Sequence, residues 1–271
     1  QAELVTSKDK SHLDATILLA NTKTAKRKFV EAKALLTELS EAHPESIKPR
    51  LALSSIHLVS GDRDAAKEVL KKIIATDKSI EPRLALSTVY LMDNNVPVAE
   101  ETLNSALNDN PGSVALLSSL TNLYIITKKT EMAAQTAEKL ITASENRPEG
   151  YVILATIQKS SGTPDKARET LKRGIESSKE PVQLQKMLAA DYLETKQPAE
   201  ASAIIANILE KNAKDPEGLF LRGRLLLIER KPKEAIPDLK AYVDANPRSP
   251  FAQYFYGLAN MMAGDPATAR A

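Results

Sequence analysis

The sequence has no cysteine and no tryptophan, only nine glycines in 271 residues, and 4% aromatic side chains. Without cysteine there is no disulfide framework, no thiolate zinc site and no thiol nucleophile. The redox compartment stays open, because a cysteine-free chain suits an oxidising or a reducing one. So little glycine and so few aromatics argue against a β-sandwich, a dinucleotide-binding domain or any fold built on glycine-rich phosphate loops. No apolar run approaches the roughly 18 residues that a membrane-spanning helix needs. With 37 Lys+Arg against 35 Asp+Glu, the net charge of +2 lacks the basic excess of a nucleic-acid-binding chain. What is abundant is Ala, Leu, Lys and Glu, an all-α composition. A hydrophobic content of 42% supplies a core and excludes intrinsic disorder.

A repeat runs through the chain. Pro164, Pro198, Pro232 and Pro266 are spaced 34 residues apart, and three residues after each stands Ala167, Ala201, Ala235 or Ala269. The same register run backwards finds Ala133, Ala99, Ala66 and Ala32, with one step of 33. Thirteen residues before these alanines lie Leu19, Leu53, Leu86, Leu120, Leu154, Leu188, Arg222 and Tyr256. The next position is always small or short: Ala20, Ser54, Ser87, Thr121, Ala155, Ala189, Gly223 and Gly257. Three residues further come His57, Tyr90, Tyr124, Tyr192 and Leu226, and four residues after the alanine column come Leu36, Leu70, Leu103, Ala137, Leu171, Ile205 and Leu239.

Each column has a physical reason. Two apolar stretches of helical spacing are separated by breaks such as Gly61-Asp62, Gly162-Thr163-Pro164 and Gly264-Asp265-Pro266, which predicts two antiparallel helices and a tight turn. Proline opening the second helix costs nothing, since its missing N–H would have no partner there. The small residue of the first helix and the alanine of the second let two backbones approach closely. A lone hairpin cannot bury its apolar faces, so hairpins must stack.

These residues resemble the tetratricopeptide repeat family over nearly the whole chain. The Leu-small, Tyr, Gly-Asp, Ala, aliphatic and Pro order is that family's, with Tyr256-Gly257 and Gly264-Asp265 among the best matches and Asp215-Pro216 and Asn246-Pro247 closing units. The resemblance implies an all-α fold, a right-handed α-solenoid of stacked antiparallel helix hairpins with about seven and a half units. The units are expected at 13–46, 47–79, 80–113, 114–147, 148–181, 182–215 and 216–249, with a partial one at 250–271, as a single superhelix over 1–271. Residues 1–12 are expected to be a tail or the end of a preceding helix. Because the chain starts with Gln1 and ends inside a unit, it is expected to be a piece of a longer protein. The family's bulky aromatic early in the first helix is replaced by Thr16, Arg50, Arg83, Leu117, Tyr151, Gln185, Leu219 and Gln253, which is expected to loosen individual repeats. Pro237, inside a second helix, is expected to remove a hydrogen bond and kink that helix.

Catalytic constellations are missing. There is no HExxH, GxxxxGK[ST], GxSxG or glycine-rich dinucleotide fingerprint. His57 shares the tyrosine column and reads as a packing residue; His43 precedes Pro44 in a turn, and His12 lies near the amino end. The basic clusters Lys23, Lys26, Arg27, Lys28 and Arg222, Arg224, Arg230, Lys231, Lys233 lack interleaved aromatics, so no nucleic acid is expected as a partner. No enzyme activity, cofactor or metal is expected.

The resemblance places function in a concave groove lined by the first helices, where a peptide or protein segment binds. The positions that meet a ligand in the family are held here by Leu84, Thr88, Ser118, Asn122, Thr156, Lys186, Phe220 and Arg224, with Asn122, Lys186 and Arg224 as polar contacts. The family's two-asparagine, basic clamp for a terminal carboxylate is incomplete, because Ser118 stands where its lysine would be. Phe251, Tyr254, Met261 and Met262 read as cover for a following repeat. The reading is therefore a non-enzymatic interaction scaffold. Its alternative is the recruiting arm of a larger enzyme or signalling protein. The degenerate, Trp-free units also resemble those of large bacterial family members, including envelope lipoproteins that assist exopolysaccharide or protein export, which leans towards the periplasmic side of a bacterial envelope, with the cytoplasm as the other option. The oligomeric state is left open.

Overall fold

The computed structural model describes residues 12–265, so Pro266, Ala269 and residues 1–11 of the expected tail lie outside the described residues. Among the described residues there are fifteen helices and no strand. They are α1 Leu13–Ala25, α2 Phe29–Ala42, α3 Lys48–Val59, α4 Arg63–Ile74, α5 Ile80–Met92, α6 Val96–Asp109, α7 Val114–Ile126 and α8 Thr130–Ala143. They continue with α9 Pro148–Ser160, α10 Pro164–Ser177, α11 Val182–Glu194, α12 Pro198–Lys211, α13 Pro216–Ile228, α14 Pro232–Ala245 and α15 Pro250–Ala263. Odd-numbered helices are the first helices of the hairpins, and even-numbered helices the second. The contacts fall into two units, Gln1–Leu123 and Tyr124–Ala271, with the division inside α7.

The hairpins close by one repeated device. Arg27, Gly61, Asn94, Lys128, Gly162, Lys196, Arg230 and Gly264 all adopt the left-handed conformation, with φ between 56° and 90°. They recur at the repeat spacing. After each, a backbone N–H returns to the carbonyl five residues back, as in Asp62 to His57 at 2.8 Å, Gln197 to Tyr192 at 2.8 Å and Asp265 to Asn260 at 2.9 Å. This satisfies a helix-end carbonyl that would otherwise lack a partner. The accepting residues are those of the column that holds His57, Tyr90, Tyr124 and Tyr192. Glycine marks these turns in the sequence at Gly61, Gly162 and Gly264, whereas Lys128 and Lys196 give no sign, because long basic residues carry no turn signal. Each second helix then starts at once, with Pro164, Pro198 and Pro232 as first residues of α10, α12 and α14.

The alanine column is the centre of each hairpin. Ala32, Ala66, Ala99, Ala133, Ala201 and Ala235 are 0% exposed, and Ala167 is nearly so. Facing positions Ala20, Ser54, Ser87, Thr121, Ala155 and Ala189 are buried as well. At Gly223 a Cβ would come within 2.6 Å of Leu239 Cγ, so only hydrogen fits between α13 and α14 there. Within each unit, first helices of successive hairpins touch: α1 with α3, α9 with α11, α11 with α13, and α13 with α15. No pair of second helices among the described residues is packed to the same extent. The first helices of the second unit therefore lie side by side.

One expectation changes. The polar residues at the lost aromatic position do more than loosen the repeats. Arg50 donates to the Pro44 carbonyl at 3.2 Å, Arg83 to the Asp77 and Ser79 carbonyls at 3.0 and 2.8 Å, and Gln253 to the Pro247 carbonyl at 2.8 Å. Each ties its helix to the turn before it. Helix α14 runs continuously through Pro237, which is exposed, so the carbonyl that loses its N–H partner can be hydrated.

Replacing Lys196 or Arg230 with glycine should raise stability by about 0.5–1 kcal/mol each, because the left-handed strain of a side chain outweighs the added chain entropy. Gly61→Ala should lower it by about 1 kcal/mol, although its Cβ would meet nothing within 4 Å, so the backbone effect is isolated. Gly223→Ala should cost about 1–2 kcal/mol net, overpacking against Leu239 exceeding the gain in helix propensity. Urea unfolding with unchanged m-values checks all four.

Candidate partner-binding groove

In the first unit, Leu84 and Thr88 stand on α5, and Ser118 and Asn122 on α7. Leu84 and Ser118 are half-buried; Thr88 and Asn122 are exposed. The Thr88 hydroxyl donates to the Leu84 carbonyl at 2.9 Å, which leaves its oxygen lone pairs outward. His57 behaves as a packing residue with a polar edge, its Nδ1 lying 3.2 Å from Asp62 Oδ2. Asp62 in turn caps α4 by accepting from the Ala65 N–H, and that bond, with His57, holds its carboxyl below the usual range.

The second unit has a hollow of about 410 Å3 between α9, α10 and α11. Ala155, Ala167, Leu171, Met187 and Ala190 make its apolar wall; Thr156, Lys159, Arg168 and Asp191 make its rim. Its volume lies in the range of ligand pockets, roughly 300–1,000 Å3. The cause is side-chain size. Ala155 and Ala167 are the small pair that brings α9 and α10 together, and the next first helix presents Ala190. In the same column other units carry Ser55, Thr88, Asn122, Arg224 and Leu258, all larger. The Thr156 hydroxyl donates to the Val152 carbonyl at 2.7 Å, so it can only accept from a ligand.

The rim is held by ions. Asp191 is 7% exposed and receives Arg168 Nε at 2.7 Å and Lys159 Nζ at 3.4 Å. Lys159 also reaches Glu194 at 2.6 Å, and Arg168 reaches Asp165 at 3.1 Å. The bond to Glu194 chiefly raises the Lys159 pKa, and the bond to Asp191 chiefly raises that of Arg168. One nearly buried carboxylate thus clamps α9, α10 and α11 around the hollow. Sequence reading passed over Asp191, Arg168 and Ala190; only the small size of Ala190 within its column gave a sign.

Lys186 was expected to offer its charge to a partner. Its ammonium instead sits 2.9 Å from Asp215 and 3.0 Å from Glu217, with the side chain 16% exposed. Burial would lower its pKa, but the two carboxylates prevail and raise it. Asp215 also accepts from the Gly218 N–H at 2.8 Å and caps α13. Burial would raise the Asp215 pKa, yet Lys186 and that N–H bring it below normal. Phe220 is 6% exposed and belongs to the core with Ala235, Leu239 and Ala259. Its ring stacks on Tyr242 at 4.4 Å, and the Arg224 guanidinium lies 5.9 Å from it, so these two expected residues do meet. The two basic clusters are partly neutralised: Lys23 and Lys28 by Glu31, Arg222 by Asp238, Lys231 by Glu229.

Comparison with known proteins agrees with this architecture. Tetratricopeptide repeat models match residues 23–85 and residues 186–250 and 229–271. The chain belongs to the tetratricopeptide repeat family, a class of repeat scaffolds for protein–protein interaction. Its fold is similar to the C-terminal part of a tetratricopeptide repeat protein from Cytophaga hutchinsonii, at TM-score 0.61, 14% identity, and 87% and 97% coverage of the two chains. It is also similar to PilF of Pseudomonas aeruginosa, at TM-score 0.53, 18% identity, and 78% and 97% coverage. A third likeness is to the Cut9–Hcn1 hetero-tetramer of the APC/C, at TM-score 0.53, 14% identity, and 99% and 53% coverage. At these identities the likeness speaks to fold alone. No curated protein sequence matches.

Asp215→Asn keeps the cap, since an amide oxygen also accepts from the Gly218 N–H, but removes the charge facing Lys186, and should destabilise the protein by about 1 kcal/mol at pH 7. Because the folded pKa of Asp215 is depressed, its contribution is complete above about pH 4 and is lost as pH falls through the folded value. Unfolding curves of wild type and variant should therefore converge as pH falls through that depressed value.

Proposed function

We propose that the protein is a non-enzymatic scaffold that holds an extended or helical segment of a partner along its first helices, with an apolar side chain seated in the hollow between α9, α10 and α11. The observation that carries this reading is the hollow itself: apolar walls, a polar rim, and a place between first helices that lie side by side. A leucine- or phenylalanine-sized anchor would exchange water contact for Ala155, Leu171 and Met187. The ion-paired rim means that little reordering is needed on binding, which favours affinity. Thr156 adds a polar contact to the segment's backbone.

Random twelve-residue peptides displayed on phage supply a probe. Wild-type protein should select peptides sharing a large apolar residue. Ala190→Leu, which fills the hollow, should weaken them about tenfold or more, as expected for loss of one buried anchor. Glu200→Ala, on the second helix α12, should leave them unchanged. Equal affinity for wild type and Ala190→Leu would refute the assignment.

A further inference from the structure

Four cations on the first helices of the second unit have different surroundings. Lys159 is matched by Glu194 and Asp191, Lys186 by Asp215 and Glu217, and Arg222 by a bidentate contact with Asp238 at 2.6 and 2.7 Å. Arg224 is not. Among the described residues its side chain has no hydrogen bond and no carboxylate at ion-pair distance. Its guanidinium lies over three rings instead, 5.1 Å from Phe255, 5.6 Å from Phe251 and 5.9 Å from Phe220. Those rings brace each other: Phe220 and Phe255 are 5.6 Å apart, and Phe251 and Phe255 4.9 Å. The platform therefore fixes where the guanidinium points.

That placement leaves a cation partly stripped of water and in contact with no carboxylate: Glu194 attracts it from a distance and is itself bonded to Lys159. Burial against the rings lowers its pKa, but an arginine stays charged throughout. None of its nitrogens is sealed from solvent, so its N–H groups remain available. Beside it, Phe251 is 54% exposed, and the same place in other units, at Lys48, Glu81, Gln183 and Glu217, stays exposed although another hairpin follows. An unmatched, pre-oriented fork next to a bare aromatic face suits one planar monoanion joined to an apolar group. A phosphate dianion or a chain-terminal carboxylate clamp would call for a second free cation, and Lys186 and Arg222 are already taken.

We infer that Arg224, with Phe251, forms a subsite for an aspartate or glutamate side chain that neighbours an aromatic or aliphatic residue in the bound segment. The inference rests on the groove reading and gives its ligand a charge. The approach of the carboxylate replaces the lost hydration of the guanidinium with two charge-assisted hydrogen bonds, and the rings cover the adjacent apolar side chain.

The displayed twelve-residue library tests it, because peptides fused through their carboxyl ends offer no terminal carboxylate. Wild-type protein should select peptides enriched in Asp or Glu next to an apolar residue. For one selected peptide made synthetically, changing that residue to its amide should weaken binding about tenfold to wild type but under about twofold to Arg224→Met, the signature of a direct pair in a double-mutant cycle. Arg224→Gln serves as a second variant should Arg224→Met fail to fold. Selection of peptides that respond to Ala190→Leu, yet show no acidic enrichment or lose equal affinity in both backgrounds, would overturn the subsite while leaving the groove standing. Selection of no peptide at all would overturn both. Self-association of the wild type that Phe251→Ser abolishes would assign the surface to a second copy and also overturn the subsite.

Discussion

Everything in this protein depends on how closely two helices of a hairpin can approach at one contact. The alanine of the second helix meets a small residue of the first, and both are buried. Gly223 under Leu239 is the extreme case. With the backbones that close, the leucines on either side interlock, and each hairpin presents two apolar faces that only its neighbours can cover. The left-handed residue at the turn serves the same contact from the other side, since it lets the chain reverse within a few residues and returns a N–H to the end of the first helix. Three glycines and five other residues occupy that place, so the geometry is imposed by stacking even where the local sequence resists it.

Charge is distributed by the same logic. The aromatic residues that usually anchor the start of the first helix are replaced by Arg50, Arg83 and Gln253, which bond to the carbonyls of the turn below. Arg222 replaces a leucine of the core column and is matched by the nearly buried Asp238. Asp191 is likewise buried and likewise matched. Removing one partner of such a pair would leave an uncompensated charge at a helix interface, so these substitutions come in pairs. Against that background of matched charges, the lone Arg224 and the unfilled space beside Ala190 stand out, and both lie on first helices of the second unit.

Much of this was legible in the chain itself. The Ala and Leu columns, the proline starts of α10, α12 and α14, and the packing role of His57 all follow from repetition, because a residue that must fit the same contact eight times leaves a column. Residues at the site leave none. Lys186 looked like a free cation and is bound to Asp215 and Glu217; Phe220 looked like a ligand contact and is core; Asp191 drew no notice and holds the rim of the hollow. Such roles depend on partners one hairpin away, which no spacing within a repeat reveals.

The sequence alone determined the fold class, the register of the hairpins and the family, since these rest on local helix formation and on one contact repeated with the period of the chain. Tertiary structure alone decided which charges are matched, where space is left between helices and which aromatic rings remain bare. Those are properties of neighbouring hairpins taken together, where the length of one side chain is judged against the gap left by another.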